Sequence, residues 1–199
     1  MEKITKFVLK KWFFATLIAI EIGVYIAMIL VRGKANTYKY NGNLIDDKFL
    51  TALAMNDYYM TIHIGLATFL IFFLAAIIFY TVGFVKFKRG TFKPKDRGAI
   101  LGFILFTAVA LVFTIPFIYD INARGTEKPF VMVENVVGKR TGANRAGTEY
   151  YLVLSNWNGF KVSKQRYEST QIGTTVYTVY QGKILINFLP IDKYTLDKK

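Results

Sequence analysis

Glu21 is the one carboxylate set inside a long apolar run, and it is the first residue in this chain whose chemistry needs explaining. It lies between Trp12 and Val31, roughly 14 Å from the inner end of that run at 1.5 Å of helix rise per residue. An acid at that depth is costly unless it faces protein or water, so it marks either a packing surface or an ion path. An ion path needs a relay. The single histidine, His63, falls about 10 Å away along the same axis, and the three long apolar runs hold no Asp, Lys or Arg. His63 is therefore expected at the interface, and Thr107, at a depth similar to that of Glu21, is the nearest hydrogen-bonding candidate.

The remaining inventory points away from catalysis. With no cysteine and one histidine, the chain lacks a disulfide frame, a thiol nucleophile and the usual zinc ligand sets. There is no G-x-S-x-G, H-E-x-x-H or phosphate-cradling glycine loop. Asp120, Glu127, Glu134, Glu149, Glu168, Asp192 and Asp197 are scattered. Glu134 and Glu149 would meet only if their strands paired, which is a poor basis for a hydrolase. No enzyme, no cofactor and no metal is expected.

The elements that must position these residues are membrane helices. The runs 12–31, 61–85 and 98–119 hold a single charge, Glu21, and each matches the roughly 20 helical residues that span a hydrocarbon core. A cleaved signal peptide is the alternative for the first run, but that run is longer than an ordinary h-region and Glu21 interrupts it. Lys3, Lys6, Lys10 and Lys11 flank the first run, and Lys86, Lys88, Arg89, Lys93, Lys95 and Arg97 fill the loop between the second and third. Those two flanks fall on the same side of three spans and would be cytoplasmic. Residues 120–199 would then be extracytoplasmic, in a bacterial inner membrane protein. Apolar residues at helical spacing across 45–60 (Ile45, Phe49, Leu50, Leu53, Met60) suit an amphipathic segment at the membrane surface or extending the second span upward. As a bland connector they would form a short helix.

Small residues mark helix contacts in lipid. Ala15, Ala19, Gly23 and Ala27 recur at every fourth position of the first span, and Gly98 and Gly102 open the third. Glu21 falls opposite the first stripe. If the stripe packs on the other two spans, Glu21 faces a second protein. If Glu21 faces inward, the stripe faces outward and Thr107 is in reach. Either way one face of the first span needs a partner, from another membrane protein or a second copy.

From 120 onward, short apolar runs separated by Gly/Asn turns predict about five strands: Phe130–Val137 ending at Gly138, Glu149–Leu154, Phe160–Ser163, Thr174–Tyr180 and Lys183–Leu189. Residues 142–147 are expected as a flexible loop, and Ser163 as the cap of one helical turn through Tyr167. The fold class is thus α+β: a three-span membrane domain, 1–119, followed by a small antiparallel β barrel of OB-like type, 120–199. The run Tyr150-Tyr151…Phe160-x-Val162-Ser163-x-x-x-Tyr167…Gly173-x-x-Val176…Gly182 resembles the small extracytoplasmic β domains of uncharacterised bacterial inner-membrane proteins of the domain-of-unknown-function 3592 type. That resemblance implies fold and location and is tied to no chemistry.

The net charge of +13, from 26 basic and 13 acidic residues, is divided among these segments and is not one patch. Trp157, Phe160, Lys161, Lys164 and Arg166 form the candidate outer binding surface. Aromatic and basic residues together would suit single-stranded nucleic acid, but the inferred topology holds them away from it, and no nucleic-acid partner is expected. The function that fits is a non-catalytic membrane accessory or assembly subunit. The alternatives are a homo-oligomeric channel or transporter component built around Glu21, and an immunity protein that binds a toxin at the outer face.

Overall fold

The computed structural model describes residues 11–145 and 147–197, apart from the side chains of Pro94, Ala123, Thr126, Trp157 and Asn158. Lys3, Lys6 and Lys10 of the basic flank lie outside the described residues. Three long helices, α1 (Lys11–Thr37), α2 (Asp47–Lys88) and α3 (Arg97–Thr126), precede a β region. All three are long and apolar enough to cross a membrane. The chain divides into a helical unit, residues through Tyr38 with Met55–Gly125, and a β unit, Lys39–Ala54 with Thr126 onward.

Local signals end the helices where they do. At the end of α1, Tyr38 N–H donates to the Ala35 carbonyl at 3.1 Å, and Lys34 sits in the last turn, where a cation offsets the helix dipole. Asp46 caps α2, its Oδ1 accepting from Phe49 N–H at 2.7 Å. Gly90, at φ 67°, turns the chain out of α2, and Thr91 N–H closes on the Lys86 carbonyl at 3.0 Å. Pro116 sits inside α3, a place tolerated where helices lie in lipid or pack together.

Rings fill the core of the helical unit. Leu17, Phe73, Ala76, Ile77, Tyr80, Phe103 and Ala110 are buried, with Phe13, Phe14, Ile18 and Phe84 packed around them. Phe14 stacks on Tyr80 and Phe84 with ring centroids 5.8 and 5.5 Å apart. Glycine allows the close approach of α2 and α3: a Cβ on Gly102 would stand 2.6 Å from Phe79 Cδ1.

The β unit is a curled antiparallel sheet of five strands in the order β4-β3-β2-β5-β6, with β2 Pro129–Asn144, β3 Gly147–Leu154, β4 Trp157–Val162, β5 Thr175–Gln181 and β6 Ile184–Pro190. Strand β2 carries both halves. Its first part, to Asn135, pairs with β5, and its second part, from Val136, pairs with β3 across a register shift between Val136 and Gly138. Gly138 therefore bends the strand and does not end it, and residues 142–144, expected in a flexible loop, are strand. The short helix α4 (Lys164–Ser169) follows β4, and the Ser163 side chain caps it by accepting from Arg166 N–H. Among the described residues no ladder joins β4 to β6, so the sheet is a half-barrel with two edges.

Buried clusters lie against both faces of the sheet. On the concave side Val136, Leu152, Leu154, Val176, Tyr180, Leu185 and Phe188 are buried with Phe160, Val162 and Tyr167. A second cluster joins Val179 and Leu189 of the sheet to Ile45 and Phe49, with Leu50 and Leu53 packed against it. Beside it, β1 (Leu44–Ile45) pairs in parallel with β7 (Thr195–Leu196). Residues 47–60 are the first part of α2 itself, continuous with the second span, and their apolar face packs within the β unit. An apolar helical face suits a membrane surface or a sheet equally well, and here Phe49 and its neighbours meet β-branched and aromatic sheet residues.

Candidate functional site

In the helical unit α1 turns Phe13, Phe14, Leu17 and Ile18 toward the core. Ala15, Ala19 and Gly23 are exposed and Ala27 is half-buried, so the small-residue stripe does not form the contact with α2 and α3. The bulky rings fill the seam more completely than alanines would. A Cβ on Gly23 or on Gly98 would meet nothing within 4 Å, whereas Gly102 lies against Phe79.

Glu21 takes the inward alternative. It is half-buried, and its Oε2 is buried with no hydrogen-bond donor among the described residues. Thr107 is not its partner, because its hydroxyl donates to the Phe103 carbonyl at 2.8 Å within its own helix. His63 is part of the interhelical seam. Its Nδ1 lies 3.1 Å from the Met28 carbonyl, and since a carbonyl can only accept, Nδ1 carries the proton. Asn56 donates to the Ala35 carbonyl at 2.7 Å, and Arg124 pairs with Asp57 and approaches Asp120 at 3.8 Å. Sequence reasoning missed all three ties, although the signal was present as polar residues placed among apolar ones.

In the β unit the candidate outer residues separate. Strand alternation sends Phe160 inward, where its ring stacks on Phe188 at 6.4 Å, and Lys161 outward, where it binds Glu149 Oε1 at 2.5 Å. Phe160 is thus corrected from surface to core. Lys164 is exposed and 3.7 Å from Glu168. The backbone of Trp157 is in β4, but its side chain lies outside the described residues. Glu134 and Glu149 do not meet. Glu134 is buried and accepts from Tyr180 Oη at 2.8 Å and Asn156 N–H at 3.0 Å. Glu149 accepts from Lys161, Tyr151 and Asn144, and these partners, with the Lys161 bond first, hold its carboxyl below the usual range.

A groove of about 800 Å³ lies beside α4, with Arg166, Lys193 and Asp192 among its lining and Val176 and Phe188 at its apolar parts. Its hydroxyls are mostly committed to the fold. Ser163 accepts from Arg166 N–H, Ser169 and Thr170 donate to the Arg166 carbonyl, and Thr175 donates to Asn135. Arg166 itself lies over the Phe188 ring at 5.1 Å and donates to the Phe188 carbonyl at 3.2 Å. The groove offers charges of both signs, Arg166 and Lys193 with Asp192, and hydrogen bonding. Among the described residues, no group of three or more His, Cys, Asp or Glu that could hold a metal ion occurs. No protein-family model, no curated protein and no solved structure matches this chain.

Proposed function

We propose that the protein is a non-catalytic integral membrane accessory or assembly subunit of a bacterial inner membrane, with a cytoplasmic N-terminus and an extracytoplasmic β unit. The observation that carries this reading is the division of labour on α1. Bulky residues make the contact within the chain, and Ala15, Ala19 and Gly23 stay uncovered, with open space above Gly23. In lipid, apolar surface alone gives little reason for helices to associate, so a smooth uncovered face is where another helix packs closely. The β unit supports the reading with a polar groove lined by Arg166, Lys193 and Asp192. Its five strands, with a helix between β4 and β5 and incomplete closure between β4 and β6, support an OB-like description.

The test is native gel electrophoresis of complexes extracted in mild detergent. Gly23→Leu and Ala19→Leu are expected to abolish a complex that Tyr25→Ala, a change at an exposed position on the opposite face of α1, leaves intact. Complexes unaffected by both stripe changes would remove the basis of the proposal. A homo-oligomeric channel component is the second reading, favoured by the Glu21 oxygen that has no donor among the described residues. It requires Glu21→Gln to abolish ion flux in liposomes while assembly persists.

A further inference from the structure

The last turns of α2 carry an apolar groove that ends in charge. Ile78, Thr81, Val82, Val85, Lys86 and Arg89 line a shallow channel of about 460 Å³ along one side of the helix. Ile78, Val82 and Val85 are exposed, at 58%, 47% and 38%. None of them belongs to the aromatic core of the helical unit. The spacing of 78, 82, 85 and 89 keeps these side chains on one face, so the two cations stand at one end of a continuous apolar strip.

We infer that this strip is a binding site for one anionic phospholipid, with an acyl chain along Ile78, Val82 and Val85 and the headgroup phosphate between Lys86 and Arg89. The inference rests on the membrane reading of α2. Charge complementarity selects the occupant: Arg89, beside the Lys86–Asp96 ion pair, closes an apolar channel that fits a molecule with a hydrocarbon chain and a terminal anion. Asp96 offsets Lys86, so the net positive charge at that end is that of Arg89. Asp96 is 9% exposed, and both its oxygens are in use, Oδ1 by Lys86 Nζ at 2.5 Å and Oδ2 by Lys93 N–H at 2.9 Å. Those bonds, that of Lys86 foremost, hold its carboxyl below the usual range, so it stays ionised and fixes Lys86 in place. An ammonium-bearing headgroup finds no open carboxylate there, which disfavours zwitterionic lipids. Arg89 is exposed in the turn just after α2, its N–H still closing on the Val85 carbonyl at 3.0 Å, and Gly90 then turns the chain away.

The experiment is native mass spectrometry of the full chain in detergent, with phosphatidylglycerol and phosphatidylcholine of matched chains added in turn. Phosphatidylglycerol is expected to be retained at least about tenfold better, a preference of roughly 1.4 kcal/mol. Arg89→Gln should erase the preference. Lys93→Gln should keep it, since Lys93 contributes only its backbone N–H, and Val82→Trp should block retention by filling the strip. Equal retention of the two lipids, or equal loss in Arg89→Gln and Lys93→Gln, would overturn the site. Inorganic phosphate in excess should fail to displace the lipid; displacement would show a phosphate site without chain recognition and overturn the proposal. A chain that stays monomeric and soluble without detergent would instead sink the membrane reading on which it rests.

Discussion

His63 reaches across from α2 to the backbone carbonyl of Met28 on α1, and the same geometry recurs one heptad away, where Asn56 reaches Ala35. Positions 28 and 35 run up α1 as 63 and 56 run down α2. The two side chains thus fasten an antiparallel seam at equal intervals, and the next position inward on α1 is Glu21.

Asn56→Ala and His63→Leu should each loosen this seam. Interhelical hydrogen bonds between membrane helices are worth about 0.6 kcal/mol on average and up to about 1.7. The Ala35 carbonyl is buried but keeps the Tyr38 N–H when Asn56 is removed, so Asn56→Ala should fall near the average figure. Thermal unfolding of the full chain in micelles checks this; equal stability of wild type and Asn56→Ala would contradict it.

Arg124 and Asp57 form the other tie, between α3 and α2, with side chains 12% and 28% exposed. Arg124→Leu strands the Asp57 carboxylate, at a cost of up to about 3 kcal/mol, whereas Asp57→Leu leaves Arg124 with Asp120 and costs less. Arg124→Leu should therefore destabilise more than the double change does. A double-mutant cycle on denaturation midpoints measures the coupling. Simple additivity would mean that the ions do not depend on one another.

Arg166 closes an edge. Strand β6 would offer its Phe188 groups to a neighbouring strand, but the guanidinium takes the carbonyl and the Asn187 side chain takes the N–H at 2.8 Å. Native sheets commonly guard an edge in this way. Arg166→Ala should cost about 1–2 kcal/mol from the lost hydrogen bond and ring contact. It should also raise concentration-dependent self-association, read by analytical ultracentrifugation in detergent. Arg166→Lys should restore less than half of the loss, because an ammonium cannot both lie flat on the ring and reach the carbonyl.

Tyr180 sets a pH limit. Burial first, and its bond to Glu134 second, push the phenol well above its ordinary value of 10.0. A group whose folded value is raised contributes stability that is complete below its unfolded value. That contribution fades as pH rises through the folded value. The β unit should thus lose stability on the alkaline side of about pH 10. Tyr180→Phe should flatten that alkaline limb, while costing about 1–3 kcal/mol at neutral pH by leaving Glu134 Oε2 without its donor. Denaturant midpoints across the alkaline range decide it, and an unchanged slope would argue against Tyr180.

The helices were legible because a hydrocarbon-length apolar run is a local property, complete within 61–85 without reference to any other residue. The sheet was partly legible: Ser163 announced the start of α4, and period-two alternation placed most of the strands. What escaped depends on distant partners. Phe49 belongs with Val179 and Leu189, and nothing near Phe49 names them. Gly142 looked like loop because glycine favours loops, yet Glu149 opposite it supplies a ladder. On α1, small residues and rings competed for one seam, and packing chose the rings. Phe160 and Lys161 were placed on one surface although neighbours on a strand point to opposite faces, a rule the sequence alone was enough to apply.

The pairing of Leu44–Ile45 with Thr195–Leu196 imposes an order on biosynthesis. Ile45 and Phe49 leave the ribosome long before the strands they cover, and at about 5–20 residues per second they wait on the order of ten seconds for them. During that interval an apolar face stands without its partner, so the nascent chain needs a temporary cover at that point. Under the membrane reading proposed above, the bilayer surface, whose chemistry the same face matches, supplies that cover.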